Sequence, residues 1–128
     1  MTMLKEKNKI LLVEDDKDLI GIMSRKLSDE GFEVITADDG QQALKKIEKK
    51  PDLVLLDILL PDMDGLTVLN EIAADPETKN IPVIILSNLA DQSSVEQAAA
   101  IGDYDYLVKA RTDLNDVVKK IKEKLDIN

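Results

Sequence analysis

"LVLLDILLPDMDG", residues 53–65, holds the decision about the fold. Leu53 to Leu56 follow one another with no polar alternation, the pattern of a short strand buried on both faces. The run ends abruptly in a carboxylate, Asp57. Behind it lies a loop with Pro61, Asp62, Asp64 and Gly65, a turn by composition in which Asp64 is placed to cap the next helix and Gly65 relaxes the backbone.

Working outward, four more apolar runs share the character of the first: "ILLV" at 10–13, "EVITA" at 33–37, "VIIL" at 83–86 and "YLV" at 106–108. The segments between them have helical spacing. Leu19, Met23 and Leu27 recur every fourth residue beside Ile20, with Gly31 as a stop. Ala43, Leu44 and Ile47 form a second stripe, with Lys45, Lys46, Lys49 and Lys50 on a solvated face and Pro51 ending the helix. Leu66, Leu69, Ile72 and Ala73 make a third, closed by Asp75-Pro76. "SSVE", residues 93–96, reads as a capping box for an alanine-rich helix stopping at Gly102. Thr112 is placed to cap the last helix, whose Leu114, Val117, Val118, Ile121 and Leu125 face inward.

Strand and helix alternate five times, which implies parallel strands joined by right-handed crossovers, with helices on both faces. The expected fold is an α/β doubly wound, three-layer sandwich around a five-stranded parallel sheet. A closed barrel of eight such units needs about 250 residues, more than the 128 here. The length corresponds to one domain, with its core over about residues 8–126.

Composition narrows the chemistry. With 17 Lys+Arg against 26 Asp+Glu the net charge is −9, which repels phosphate backbones and anionic membranes and argues against direct nucleic-acid binding. No cysteine and no histidine are present, which excludes disulfides, thiolate metal sites, imidazole catalysis and a phosphohistidine on this chain. Charged residues in "MTMLKEKNKI" stand where a signal peptide needs an apolar core, and no apolar run reaches membrane-spanning length, so a cytoplasmic location is expected.

In open α/β sheets ligands bind beyond the carboxyl ends of the strands, where strand order reverses. The first run ends in Glu14, Asp15 and Asp16, the third in Asp57, the fourth in Ser87 and the fifth in Lys109. A strand order of 2-1-3-4-5 brings these ends to one edge. Carboxylates so close repel one another by several kcal/mol at an effective dielectric of about 20, so they need a cation. Hard oxygen ligands without imidazole or thiolate select Mg²⁺, with Mn²⁺ or Ca²⁺ as substitutes. Lys109 and Ser87 suit two oxygens of a phosphoryl group, and Asp57 suits in-line attack on phosphorus. Asp16 reads as a helix cap, and taken singly Lys109 and Tyr106 would read as a snorkelling lysine and a core aromatic.

"LLVEDD", "LVLLDILLPDMDG", "VIILS" and "DYLVK", in this order and at these separations, resemble the signature blocks of the receiver domain of two-component response regulators, over essentially the whole chain. The resemblance implies a flavodoxin-like fold. It implies that Asp57 accepts phosphate from the phosphohistidine of a sensor histidine kinase or a phosphotransfer protein. Glu14 and Asp15 would hold Mg²⁺ with Asp57 and the backbone carbonyl of Leu59. Ser87 would be the switch hydroxyl, Lys109 the phosphate-binding lysine, and Tyr106 the aromatic that turns inward as Ser87 moves toward the phosphoryl group. Helix 4, strand 5 and helix 5 would then present a changed surface to a downstream protein target or to a second copy in a phosphorylation-dependent dimer.

Two positions depart from the family pattern, and two more bear on attack by water. Ala110 follows Lys109 where a proline with a cis bond is usual: either the site over-determines a cis bond costing about 3 kcal/mol, or the bond is trans and the loop differs. Asn88 follows Ser87 where a small residue is common, and it either narrows access or adds a donor. Leu59 and Leu89 stand two residues after Asp57 and Ser87, where neither can orient a water, so slow self-dephosphorylation is expected. With the chain ending at Asn128, the expectation is a stand-alone, chemotaxis-type regulator or relay intermediate, a phosphoacceptor and not a multiple-turnover enzyme. A haloacid-dehalogenase-like phosphohydrolase would need a second aspartate where Leu59 stands, and a cap domain. A receiver-like module that takes no phosphate would not need the acidic cluster, Ser87 and Lys109.

Overall fold

Strands β1 (Lys9–Val13), β2 (Glu33–Ala37), β3 (Leu53–Leu56), β4 (Val83–Ser87) and β5 (Asp105–Val108) alternate with helices α1 (Lys17–Asp29), α2 (Gly40–Lys46), α3 (Gly65–Ala74), α4 (Gln92–Ile101) and α5 (Leu114–Lys124). The computed structural model describes residues 7–89 and 91–127, so the start of the stretch weighed above as a leader lies outside the described residues. All strands pair in parallel in the order β2-β1-β3-β4-β5, as expected. Strands β1, β4 and β5 each extend one residue beyond the expected run; β2 and β3 match it.

Strand alternation sorts the apolar side chains into two layers. Leu11, Val13, Val54, Leu56 and Ile85 point to one face and pack under α2, α3 and α4 through Ala43, Val68, Leu69, Ile72 and Ala98. Ile10, Leu12, Leu53, Leu55, Ile84 and Leu86 point to the other and meet Met23, Leu27, Val117, Val118 and Ile121 of α1 and α5. The central strands are therefore aliphatic except at Lys9 and Ser87, and each fully buried Leu or Ile contributes about 1.5–3 kcal/mol of transfer free energy.

Helix termini follow local chemistry, with two corrections to the reading of the sequence. Asp16 caps α1 by accepting from the Asp18 and Leu19 amides, and Asp64 caps α3 through the Leu66 amide. Gly31, at φ 93°, makes the left-handed turn after α1. Helix α4, however, is capped by Asp91, which accepts from the Ser94 amide and hydroxyl, not by Ser93. Likewise α5 is capped by Asp113 through the Asp116 amide, not by Thr112. In both, a carboxylate within two residues of the expected hydroxyl takes the position, gaining charge–dipole attraction that a hydroxyl lacks. The lysine face of α2 is also less solvated than expected, because Lys46 Nζ reaches the Thr36 carbonyl of β2 at 2.5 Å.

Candidate functional site

Parallel pairing fixes which strand ends meet. Val13 is in register with Leu56, and Leu56 with Ile85, so Glu14 and Asp57 emerge side by side, one residue beyond adjacent strands. Ser87 is in register with Val108, which places Lys109 one step beyond the last pair. Strand order reverses between β1 and β3, and there the acidic groups collect. Gly65 permits the close return of the following loop: a side chain at that position would stand 2.6 Å from the Asp57 carbonyl.

Asp57 is almost wholly buried, and both its carboxylate oxygens are engaged. Oδ1 accepts from Ser87 Oγ at 2.7 Å and from the Leu59 amide at 3.0 Å. Oδ2 meets Lys109 Nζ at 2.5 Å, and the same ammonium lies 2.5 Å from Glu14 Oε2. Burial pushes the Glu14 carboxyl above its ordinary range, with Lys109 only partly offsetting it. For Lys109 burial alone would pull the ammonium down, but its bonds to Asp57 and Glu14 outweigh that and hold it above the usual lysine range.

Asp15 is exposed at the rim, yet one oxygen each from Glu14, Asp15 and Asp57 lie within 4.8 Å of one another. At that separation each carboxylate pair repels by about 3 kcal/mol at an effective dielectric of about 20. Lys109 neutralises one of the three charges, and the remaining two match a divalent cation. The donor set, all oxygen and anionic, fits Mg²⁺.

A hydrogen-bonded path leads away from Asp57. Ser87 Oγ, besides donating to Asp57, accepts the Leu89 amide at 3.2 Å, and the Tyr106 hydroxyl donates to the Leu89 carbonyl. The Tyr106 ring packs against the apolar layer under α2, α3 and α4. Leu59 and Leu89 line one groove beside the loop that follows Asp57, and the Leu59 side chain is half exposed. The peptide bond between Lys109 and Ala110 is trans, as is every bond among the described residues. Asn88 accepts there through its Oδ1, which receives the Ala110 amide at 3.0 Å.

Asp62 was missed in the sequence. Its two oxygens accept from the Gly40 and Gln41 amides at 2.7 and 3.0 Å, clamping the loop behind Asp57 to the first turn of α2. These bonds hold its carboxyl below the usual range. Asp52 accepts the Lys9 amide at 2.7 Å, so Asp52, Asp62 and Asp64 all serve backbone amides while Asp57 faces the acidic edge.

The model of the response regulator receiver domain matches residues 10–122, a span that contains every residue of this site. The chain belongs to this family. The receiver is 36% identical to the transcriptional regulatory protein CpxR of Klebsiella pneumoniae over 115 residues, covering 90% of the chain and 48% of CpxR. It is 33% identical to the alkaline phosphatase synthesis transcriptional regulatory protein PhoP of Bacillus subtilis over 122 residues, covering 93% of the chain and 50% of PhoP. The chain thus spans about half the length of these curated relatives. Its fold superposes on a CheY-like response regulator receiver domain protein from Methanospirillum hungatei with a TM-score of 0.87 at 31% identity, covering 94% of this chain and 95% of that one. Receiver domains are signalling phosphoacceptors that take phosphate from histidine kinases, and they generally bind Mg²⁺ at an acidic pocket. Among the described residues no helix is long and apolar enough to cross a membrane.

Proposed function

We propose that this receiver is a Mg²⁺-dependent phosphoacceptor in which Asp57 takes a phosphoryl group from a phosphohistidine and thereby switches a protein-binding surface. One observation carries the reading: a single buried carboxylate, Asp57, is held at once by a hydroxyl and an ammonium beside two further carboxylates. Glu14, Asp15, Asp57 and the Leu59 carbonyl would hold the cation, which supplies charge neutralisation for the incoming phosphoryl group.

An Asp57 oxygen attacks phosphorus in line. The P–N bond to the donor imidazole breaks with its electron pair left on nitrogen, which takes up a proton, and an acyl phosphate forms on Asp57. Lys109, already 2.5 Å from Asp57 Oδ2, moves its ammonium to one phosphoryl oxygen, and Ser87 Oγ turns its donor to another. Because the Leu89 amide rides on Ser87 Oγ and the Tyr106 hydroxyl on the Leu89 carbonyl, the shift is passed to the loop before α4 and to β5. The output is a changed surface of α4, β5 and α5 offered to a protein target. Leu59 and Leu89, which line one groove beside the loop that follows Asp57, carry apolar side chains that cannot orient a water, which favours slow self-dephosphorylation.

A phosphohydrolase acting through Asp57 would turn over repeatedly. Incubation with phosphate monoesters and Mg²⁺, followed by assay of free phosphate, separates the two: the acceptor reading expects no more than stoichiometric release, and sustained release overturns it.

A further inference from the structure

The two departures from the family pattern, Asn88 and Ala110, touch each other. Asn88 directly follows Ser87, and Ala110 directly follows Lys109, so each sits beside a group that faces the acceptor carboxylate. The β4–β5 ladder reaches its last registered pair at Ser87 and Val108. Beyond it β5 gives way to a 3₁₀ turn, Lys109–Arg111, and the backbone ladder no longer fixes the chain.

A lysine ammonium on four rotatable bonds is placed only as well as its backbone is. The peptide after Lys109 is pinned on both sides. Its carbonyl accepts the Thr112 amide at 3.3 Å, and its N–H, carried by Ala110, donates to Asn88 Oδ1 at 3.0 Å. The contacts then close a ring. From Asn88 it runs across to Ala110, back to Lys109, through Nζ to Asp57, and through Ser87 Oγ to the residue beside Asn88. Both Asn88 and Ala110 are exposed, so neither is needed for the core.

We infer that Asn88 is a positioning residue for Lys109, acting through the Ala110 amide, so that the ammonium stays aimed at the phosphoryl site. The inference rests on the acceptor reading of Asp57. A competing role for Asn88, narrowing access to the site, has the opposite sign: truncation would then speed phosphorylation.

The test uses the whole chain, with acetyl phosphate as donor at saturating Mg²⁺, comparing wild type, Asn88→Ala, Lys109→Ala and the double variant. Asn88→Ala is expected to slow phosphorylation by about threefold to tenfold, the worth of one hydrogen bond, with the melting temperature unchanged. In the Lys109→Ala background it is expected to cost nothing further. Amide hydrogen exchange gives a second readout, with Ala110 protected in wild type and unprotected in Asn88→Ala. An Asn88→Ala rate equal to or above wild type, the same loss without Lys109, or an unprotected Ala110 amide in wild type would overturn the inference alone. A wild type that takes no phosphate overturns the acceptor reading and this inference with it.

Discussion

Lys109 Nζ stands 2.5 Å from Asp57 Oδ2, a contact between residues 52 positions apart that exists because parallel β3 and β5 end at the same edge of the sheet. The lysine shares its charge with Glu14 at the same distance. Lys109→Ala should therefore do two things in opposite directions. It removes the group proposed to meet the phosphoryl oxygen, so phosphorylation of Asp57 by acetyl phosphate should slow by on the order of a hundredfold. It also removes the cation already paired with Glu14, so Mg²⁺ should bind more tightly. Calorimetric titration of Mg²⁺ beside the phosphorylation rate checks both signs.

Carboxylates gathered within 4.8 Å make the folded protein a better ligand for a divalent cation than the unfolded chain. Saturating Mg²⁺ is expected to raise the melting temperature, the gain approaching about 2.7 kcal/mol at a hundredfold excess over Kd. Chelation by EDTA should reverse it. Asp15→Asn, exposed and outside the core, should keep the fold while losing most of the Mg²⁺-dependent rise, which thermal melts with and without the metal will report.

Asp62 ties the loop behind Asp57 to the first turn of α2. Its folded-state pKa is depressed, chiefly by the Gly40 amide, so the folded protein holds this proton less tightly than the unfolded chain. The stabilisation is therefore present above the ordinary aspartate value of about 4 and lost as pH falls through the lower folded value. Asp62→Asn should melt below wild type at neutral pH, with the gap closing below about pH 4. A gap that stays constant into acid would contradict it.

The edge that carries Glu14, Asp57, Ser87 and Lys109 could be read without coordinates. Each residue terminates an apolar run, and a parallel sheet must bring such termini together. The caps of α4 and α5 could not be read the same way, because Asp91 and Ser93, or Thr112 and Asp113, lie within two residues of each other and have similar local chemistry. Asp62 was illegible for a different reason. In sequence it is one polar residue of a turn, and only the packing of that turn against α2 brings Gly40 within reach, 22 residues away. The pairing of Asn88 with Ala110 likewise spans 22 residues and depends on where two loops leave the sheet.

Leu59 after β3 and Leu89 after β4 line one groove beside the loop that follows Asp57, and neither side chain can orient a water. Once formed, the acyl phosphate should persist for minutes or longer. Leu89→Gln, which adds a group able to orient a water, should shorten its lifetime by roughly tenfold. Phosphate release from purified phosphorylated protein, followed over time, checks both; decay of the wild-type species within seconds would refute the assignment.

The proposed switch depends on Asp57 being the residue that takes the phosphoryl group. The direct measurement is the intact mass of the chain after incubation with acetyl phosphate and Mg²⁺, for wild type and for Asp57→Ala. The expected result is one added phosphoryl group on wild type and none on Asp57→Ala or when the metal is chelated. An adduct that survives in Asp57→Ala, or a wild type that gains no mass while Mg²⁺ is demonstrably bound, would contradict the account.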